Sequence, residues 1–278
     1  MTSPVVPQED SEETFDRLVD EGQMRLGRSW TGLVATALLG GIDVGAGAIA
    51  LLIVENQTHS VVLAGLAFSI GFIALTLAHS ELFTENFLIP VAAVVARRAN
   101  VLALARLWVV SAIGNLIGGW VLMGIAMAAF PNLRATALES GKFYISLGWS
   151  MRAFTLGIIG GFVITLMTHM QHGTDSDGVK LVPAVVMGFM LGAGKLNHAI
   201  VASLLTFAAL HAGAPFGYYD WLKLFTLGVL SNMVGGLLLV TLLRLLQVPH
   251  KVKAEREQNP KPPTIPGVAG GMGQEPEA

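Results

Sequence analysis

His79-Ser80-Glu81-Leu82-Phe83-Thr84-Glu85-Asn86 interrupts a long apolar stretch over 61–96, and Lys195-Leu196-Asn197-His198 interrupts a second one over 181–210. Lipid offers no water to an opened backbone or a charge, so polar, non-helical chain at membrane depth survives only where protein or an aqueous cavity surrounds it. Two such breaks in one chain suggest a permeation path. The composition agrees with membrane residence: the 278 residues are 53% hydrophobic and 13% charged, with a mean hydropathy of +0.63, against about 25% charged in soluble domains.

Outward from the breaks, the apolar runs predict six spans: 30–54, a broken second over 61–96, 103–129, 153–170, a broken fifth over 181–210, and 221–246. Each whole run approaches or exceeds the ~20 residues that cross a hydrocarbon core. The fold class is therefore an all-α membrane protein. Residues 1–10 read as disordered. Residues 11–29 place Phe15, Leu18, Val19, Met24 and Leu26 on a loosely helical stripe that suits an interfacial amphipathic helix. The tail over 247–278 carries lysines, prolines and glycines with few large apolar residues and reads as unstructured. Lys and Arg concentrate before the first span and after the second, fourth and sixth, which predicts both termini in the cytoplasm.

The halves repeat. Leu39-Gly40-Gly41-Ile42 returns as Ile159-Gly160-Gly161-Phe162, and Asn115-Leu116-Ile117-Gly118-Gly119 returns as Asn232-Met233-Val234-Gly235-Gly236, at offsets of 120 and 117. Each half, 30–129 and 153–246, holds three spans, so the second enters from the opposite side: an inverted repeat with broken helices meeting near the midplane. The paired glycines suit close helix packing and the two asparagines suit bonds across an interface. The half-helices after the breaks begin near Thr84 and Asn197, and such N-termini present unpaired N–H groups to an anion.

Phe68-Ser69-Ile70-Gly71-Phe72 leading into Glu81-Leu82-Phe83-Thr84, the later Asn197-His198-Ala199-Ile200, and the Gly-Asn-Leu-Ile-Gly-Gly and Ser-Asn-Met-Val-Gly-Gly signatures resemble the formate/nitrite transporter family over roughly 11–246. The resemblance implies an aquaporin-like fold, a homopentamer with one pore per protomer, and passage of a small weak-acid anion such as formate, nitrite or hydrosulfide, or of its neutral acid. It implies Thr84 and His198 at the pore centre, with Phe68, Phe72 and Leu82 as apolar constrictions. It further implies a positive vestibule that draws the anion in, and protonation near His198. The location it suggests is a bacterial inner membrane. The chain departs from the family in carrying Asn197 where an acid is usual before the histidine, Lys195 three residues before it, and Gly161 where an asparagine is common. These departures mark a divergent branch.

Laying the halves over each other aligns Glu81 with Lys195, and the two are predicted to lie near one another, either as a pair fixing two loops or as one that also sets the pore's potential. His79 lines a vestibule or caps the preceding arm. Asp43, inside the first span, is a functional candidate or a structural bond to the neighbouring break. His198 alone could be a bonded core histidine, and Thr84 with the repeat favours the pore. His169-Met170-Gln171-His172 lacks a third metal ligand nearby and reads as a solvated loop, so no metal or other cofactor is expected. There is no phosphate-binding loop, no HExxH and no nucleophile elbow, and no basic face for nucleic acid. The alternatives to an anion channel or secondary transporter are a membrane-embedded enzyme using His79, Glu81, Asp43 and His198, and a neutral-solute channel.

Overall fold

The computed structural model describes residues 7–263, all of whose regular elements are helical. α1 (Pro7–Leu26) precedes α2 (Trp30–Thr58) and α3 (Val61–Ala78). After a loop with a short 3-10 turn at Phe83–Phe87 come α4 (Ile89–Val95), α5 (Val101–Ala129) and α6 (Arg134–Leu147). The second half runs α7 (Met151–His172), α8 (Asp177–Ala193), α9 (Ala199–His211) and α10 (Tyr218–Met233). A π-helical stretch over Val234–Leu242 then leads into α11 (Leu243–Gln247) and α12 (Pro249–Gln258). Five of these segments are long and apolar enough to cross a bilayer: Trp30–Thr58, Val61–Ala78, Val101–Ala129, Met151–His172 and Tyr218–Gln247. Their starts are written in the sequence, because Ser29, Ser60, Asn100 and Ser150 each accept a first-turn N–H at the N-cap, the position where those side chains satisfy an orphan donor.

Glycine pairs set the helix crossings. A Cβ on Gly41 would run into the backbone of Asn115, and one on Gly161 into the backbone of Asn232. Gly118 stands in the same way against Leu38, and Gly235 against Ile158. The signatures that repeat in sequence are thus the points where α2 meets α5 and α7 meets the last span.

The repeat is longer than the three spans read from sequence. Gly22 on α1 abuts the carbonyl of Ile89 and the side chain of Ala93, and Gly141 on α6 abuts Leu205 and Ala209 in the same manner. α1 therefore packs on α4 as α6 packs on α9, so each half of the repeat includes a packing helix ahead of its apolar helices. α6 lies between the runs 103–129 and 153–170 that the sequence marks as spans.

Both tails correct their sequence readings. Residues 7–10, expected to be disordered, open α1; residues 1–6 lie outside the described part. α1 carries Phe15, Leu18, Val19 and Leu26 inward, all buried, and leaves Met24 exposed. Its apolar stripe faces protein rather than a bilayer interface, because Gly22 lets it close on α4. Residues 249–258, expected to be unstructured, form α12. Polar bonds hold it together with the single apolar contact of Val252: Lys251 pairs with Asp16 at 2.7 Å, His250 with Glu12 at 2.8 Å, and Arg256 donates to the Val95 carbonyl at 2.8 Å. The rest of the tail from 264 lies outside the described residues.

Gly41→Leu is expected to abolish the folded protein, since overpacking against backbone costs about 3 kcal/mol or more; Gly178→Ala, at an exposed helix position with room around it, leaves it intact. Yield of monodisperse protein in detergent by size-exclusion chromatography is the check.

Candidate pore centre

Both breaks are built to one plan. α3 ends at His79 and α8 is followed by Lys195, each in the left-handed region at φ 53° and 45°, a bend that reverses the chain. Ser80 N–H then bonds back to Leu75 O, and Leu196 N–H to Leu191 O. One asparagine clamps each returning loop. Asn115 Nδ2 donates to Glu81 O at 2.8 Å and to Ala37 O at 2.7 Å, while its Oδ1 accepts Phe83 N–H at 2.8 Å. Asn232 Nδ2 donates to Asn197 O at 2.9 Å and to Gly157 O at 2.8 Å, while its Oδ1 accepts Ala199 N–H at 2.8 Å. The clamps fix the correspondence between halves: Glu81 matches Asn197, Leu82 matches His198, and His79 matches Lys195.

The expected Glu81–Lys195 pair is therefore absent, because the alignment behind it was two residues out of register. Glu81 is fully buried and bonds Arg25 at 3.1 Å through one oxygen and Arg28 through the other. Lys195 pairs with Glu55, near the far end of α2, at 3.2 Å and lies over the Phe143 ring at 5.5 Å. Glu55, Arg25 and Arg28 were not picked out as site residues. A fully buried acid requires a cation, and that was the signal available for the arginines.

Thr84 and His198 do meet. Thr84 Oγ1 lies 2.7 Å from His198 Nε2, and both residues are fully buried. His198 is also the N-cap of α9, its Nδ1 accepting Val201 N–H at 3.3 Å. With its Nδ1 lone pair occupied, the neutral ring carries its proton on Nε2 and donates to Thr84, which leaves the Thr84 hydrogen for another acceptor. Phe68, Phe72 and Leu82 are fully buried in one apolar cluster, the two rings edge to face at 5.2 Å. Gly188 and Gly192 on α8 close on Phe72 and Phe68.

The remaining candidates separate. Asp43 accepts Ser80 Oγ–H at 2.5 Å and so ties α2 to the first break. His79 is exposed; it is the C-cap of α3 and lines the vestibule. Asn197 donates to Ala153 O at 3.2 Å, and its buried Oδ1 has no hydrogen-bond partner. Gly161, packed on Asn232, leaves no room for an asparagine side chain to assist the histidine. Glu81, Asp43 and His198 each bond to different partners, and the exposed His79 lines a vestibule whose walls include none of them. Among the described residues no group of three metal ligands occurs.

On the side of the termini a vestibule of about 680 Å³ opens above the first break. It is not the bare positive funnel that the resemblance implies: Arg17, Arg25, Arg28 and Lys180 share its walls with Asp20, Glu21, Glu85 and Asp175. His169 to His172, expected in a solvated loop, end α7 beneath α1. His172 Nδ1 faces Thr168 O at 2.7 Å and Nε2 faces Glu21 at 2.8 Å. Burial pushes the Glu21 carboxyl up, but Arg25 and His172 outweigh it and hold the group well below its ordinary 4.5. A lowered carboxylate stabilises the fold above its unfolded value and loses that contribution as the pH falls below it. Glu21→Gln is thus expected to cost about 1 kcal/mol at pH 7, the scale of a half-exposed pair. The gap from wild type should narrow as the pH falls below 4.5 in thermal unfolding of detergent-solubilised protein; a gap constant with pH contradicts this.

Known proteins share this architecture. The chain is similar to a solved FNT family ion channel with a TM-score of 0.75 at 15% identity, covering 85% of this chain and 99% of that one. It is similar to a pentameric formate channel with formate bound at 0.65 and 21%, covering 78% and 96%. In sequence it is 27% identical over 260 residues to the inner membrane protein YfdC of Escherichia coli (strain K12), covering 87% of this chain and 82% of that protein. It is 30% identical over 129 residues to the formate channel FocA of Haemophilus influenzae, covering 43% and 45%. The formate/nitrite transporter profile matches residues 12–246. An integral multi-pass membrane protein by its apolar helices, the chain belongs to the formate/nitrite transporter family.

Proposed function

We propose that the protein is a channel or secondary transporter for a small monovalent weak-acid anion, such as formate, nitrite or hydrosulfide, which passes the centre as its neutral acid. The observation that carries this reading is the Thr84–His198 contact at 2.7 Å, where two inverted, asparagine-clamped loops meet inside a fully buried apolar cluster. A bare anion pays heavily to enter such a constriction and its neutral acid much less. Six spans, the second and fifth broken, surround the path; Phe68, Phe72 and Leu82 narrow it, and the Thr84 hydroxyl offers the permeant its free hydrogen. His198 supplies the proton linkage. To hand on a proton it first takes a second one at Nδ1 and releases the Val201 N–H it caps, so protonation and the N-terminus of α9 are coupled.

The relatives named as formate channels support the choice of permeant class, and the pentameric neighbour supports a homopentamer. The Arg and Lys residues clustered on the side of the termini support a cytoplasmic location for both ends, and the relative described as an inner membrane protein supports a bacterial inner membrane. Neither an enzyme nor a neutral-solute pore gains an observation of its own: the four polar groups an enzyme would use do not converge, and the pair that would cancel the site's charge does not form.

Flux into proteoliposomes of formate, nitrite, hydrosulfide, acetate and a neutral solute over a pH series tests the reading. Wild-type protein should pass one or more of the weak acids, faster at lower pH. Thr84→Val should cut that flux roughly tenfold or more through loss of a permeant hydrogen bond, and His198→Ala should flatten the pH profile. Absence of flux for all the weak acids, or an unchanged profile in His198→Ala, overturns it.

A further inference from the structure

The two central loops share one hold and differ in another. Asn115 and Asn232 clamp them alike, but the loop bearing Thr84 is also gripped from outside by α1. Arg25, at the end of that helix and buried, places Nη1 at 3.1 Å from Glu81, 3.5 Å from Asn86 Oδ1 and 3.6 Å from Glu85. One guanidinium thus touches residues on both sides of Thr84. Its own plane is fixed from behind, where Nη2 and Nε reach Glu21 Oε1 at 2.5 and 2.8 Å, and Glu21 is in turn bonded to His172 on α7. Arg28 occupies the second oxygen of Glu81.

The other half has no such staple. By the register that sets Gly22 on Ile89 and Gly141 on Leu205, Tyr144 takes the place of Arg25, and by the asparagine clamps Asn197 takes the place of Glu81. Tyr144 is buried and carries no charge. The His198 loop is therefore held by its clamp, its cap, packing and the Lys195–Glu55 pair to α2 at its start, while the Thr84 loop hangs on an ionic fork rooted in α1 that grips residues on both sides of Thr84. Arginine suits this role because its rigid donor fork fixes geometry, where a lysine supplies only a point charge.

We propose that Arg25 is a positioning residue for the pore centre: by stapling Glu81, Glu85 and Asn86 it sets where the Thr84 hydroxyl meets His198. α1 is then a working part of the pore rather than a cover. The proposal rests on the function inferred above for the Thr84–His198 pair.

Removing Arg25 alone would strand buried carboxylates and unfold the loop, so the test uses Arg25→Lys, which keeps the charge and loses the fork, and the charge-balanced Arg25→Met/Glu81→Gln. Formate flux into proteoliposomes is measured per folded protein over a concentration series, in both wild-type and Thr84→Val backgrounds. If Arg25 acts through Thr84, Arg25→Lys and the balanced double variant each lower maximal flux roughly tenfold, as an ångström-scale misplacement does, with KM little changed. The same changes in the Thr84→Val background then alter flux by less than about twofold, since the two positions are coupled. Wild-type flux in Arg25→Lys, or an equal loss in both backgrounds, overturns the proposal. A structure of Arg25→Lys gives a readout independent of transport: separation of Thr84 Oγ1 and His198 Nε2 beyond hydrogen-bond distance supports the staple, and retention of the contact overturns it. Should wild-type protein pass no weak acid, the transport reading fails and this structural comparison alone decides the role of Arg25.

Discussion

A chain opened inside an apolar protein must find partners for every N–H and C=O it frees, and here two asparagine side chains meet that demand. Asn115 and Asn232 each use their amide to bond a loop carbonyl, a helix carbonyl and a loop N–H. The glycines at 40, 41 and 161 exist in relation to them, because only a helix without side chains at those points comes close enough for the asparagines to reach the loops. From that one arrangement follow the reversed direction of both loops, the meeting of Thr84 with His198, and the enclosure of Phe68, Phe72 and Leu82.

The two halves were not kept alike. Facing the termini, the loop carries Glu81 and Glu85, answered by Arg25 and Arg28. Facing the other way, the corresponding loop carries Asn197, and the position on α6 that matches Arg25 holds the uncharged, buried Tyr144. Lys195, at the position matching His79, finds Glu55 instead. Ion pairs inside a protein give position rather than stability, and the structure places them where a helix outside the spans can act on the loop that bears Thr84. On the opposite side the histidine is set by its own cap.

Much of this was legible in the residues. Polar breaks in apolar runs and the repeated Gly-Gly and Asn signatures point to the apolar helices and to the two interrupted loops, because each reflects a local demand of backbone in lipid; the pairing of Thr84 with His198 came from the family resemblance. The register between the breaks was not legible. Thr84 and His198 sit at different distances from their clamping asparagines' partners, so aligning the two polar residues displaces the loops by two positions and produces a Glu81–Lys195 pair that does not exist. α6 escaped notice because its fourteen residues mix polar and apolar types and its partner, α9, is fixed only by tertiary packing. α12 escaped because ion pairs, not an apolar stripe, hold it. Arg25 was visible only as one of several basic residues near a terminus, since which cation answers a buried acid depends on where α1 docks.

The central claim is a neutral His198 whose Nδ1 caps α9 and whose Nε2–H bonds Thr84. Nitrogen-15 NMR of histidine-labelled protein, with His198 assigned by difference from His198→Ala, reads both ring nitrogens directly. The account predicts an unprotonated Nδ1 and a protonated Nε2 at neutral pH, with the Nε2 resonance shifted by Thr84→Val. A proton on Nδ1, or a ring indifferent to Thr84→Val, would contradict it.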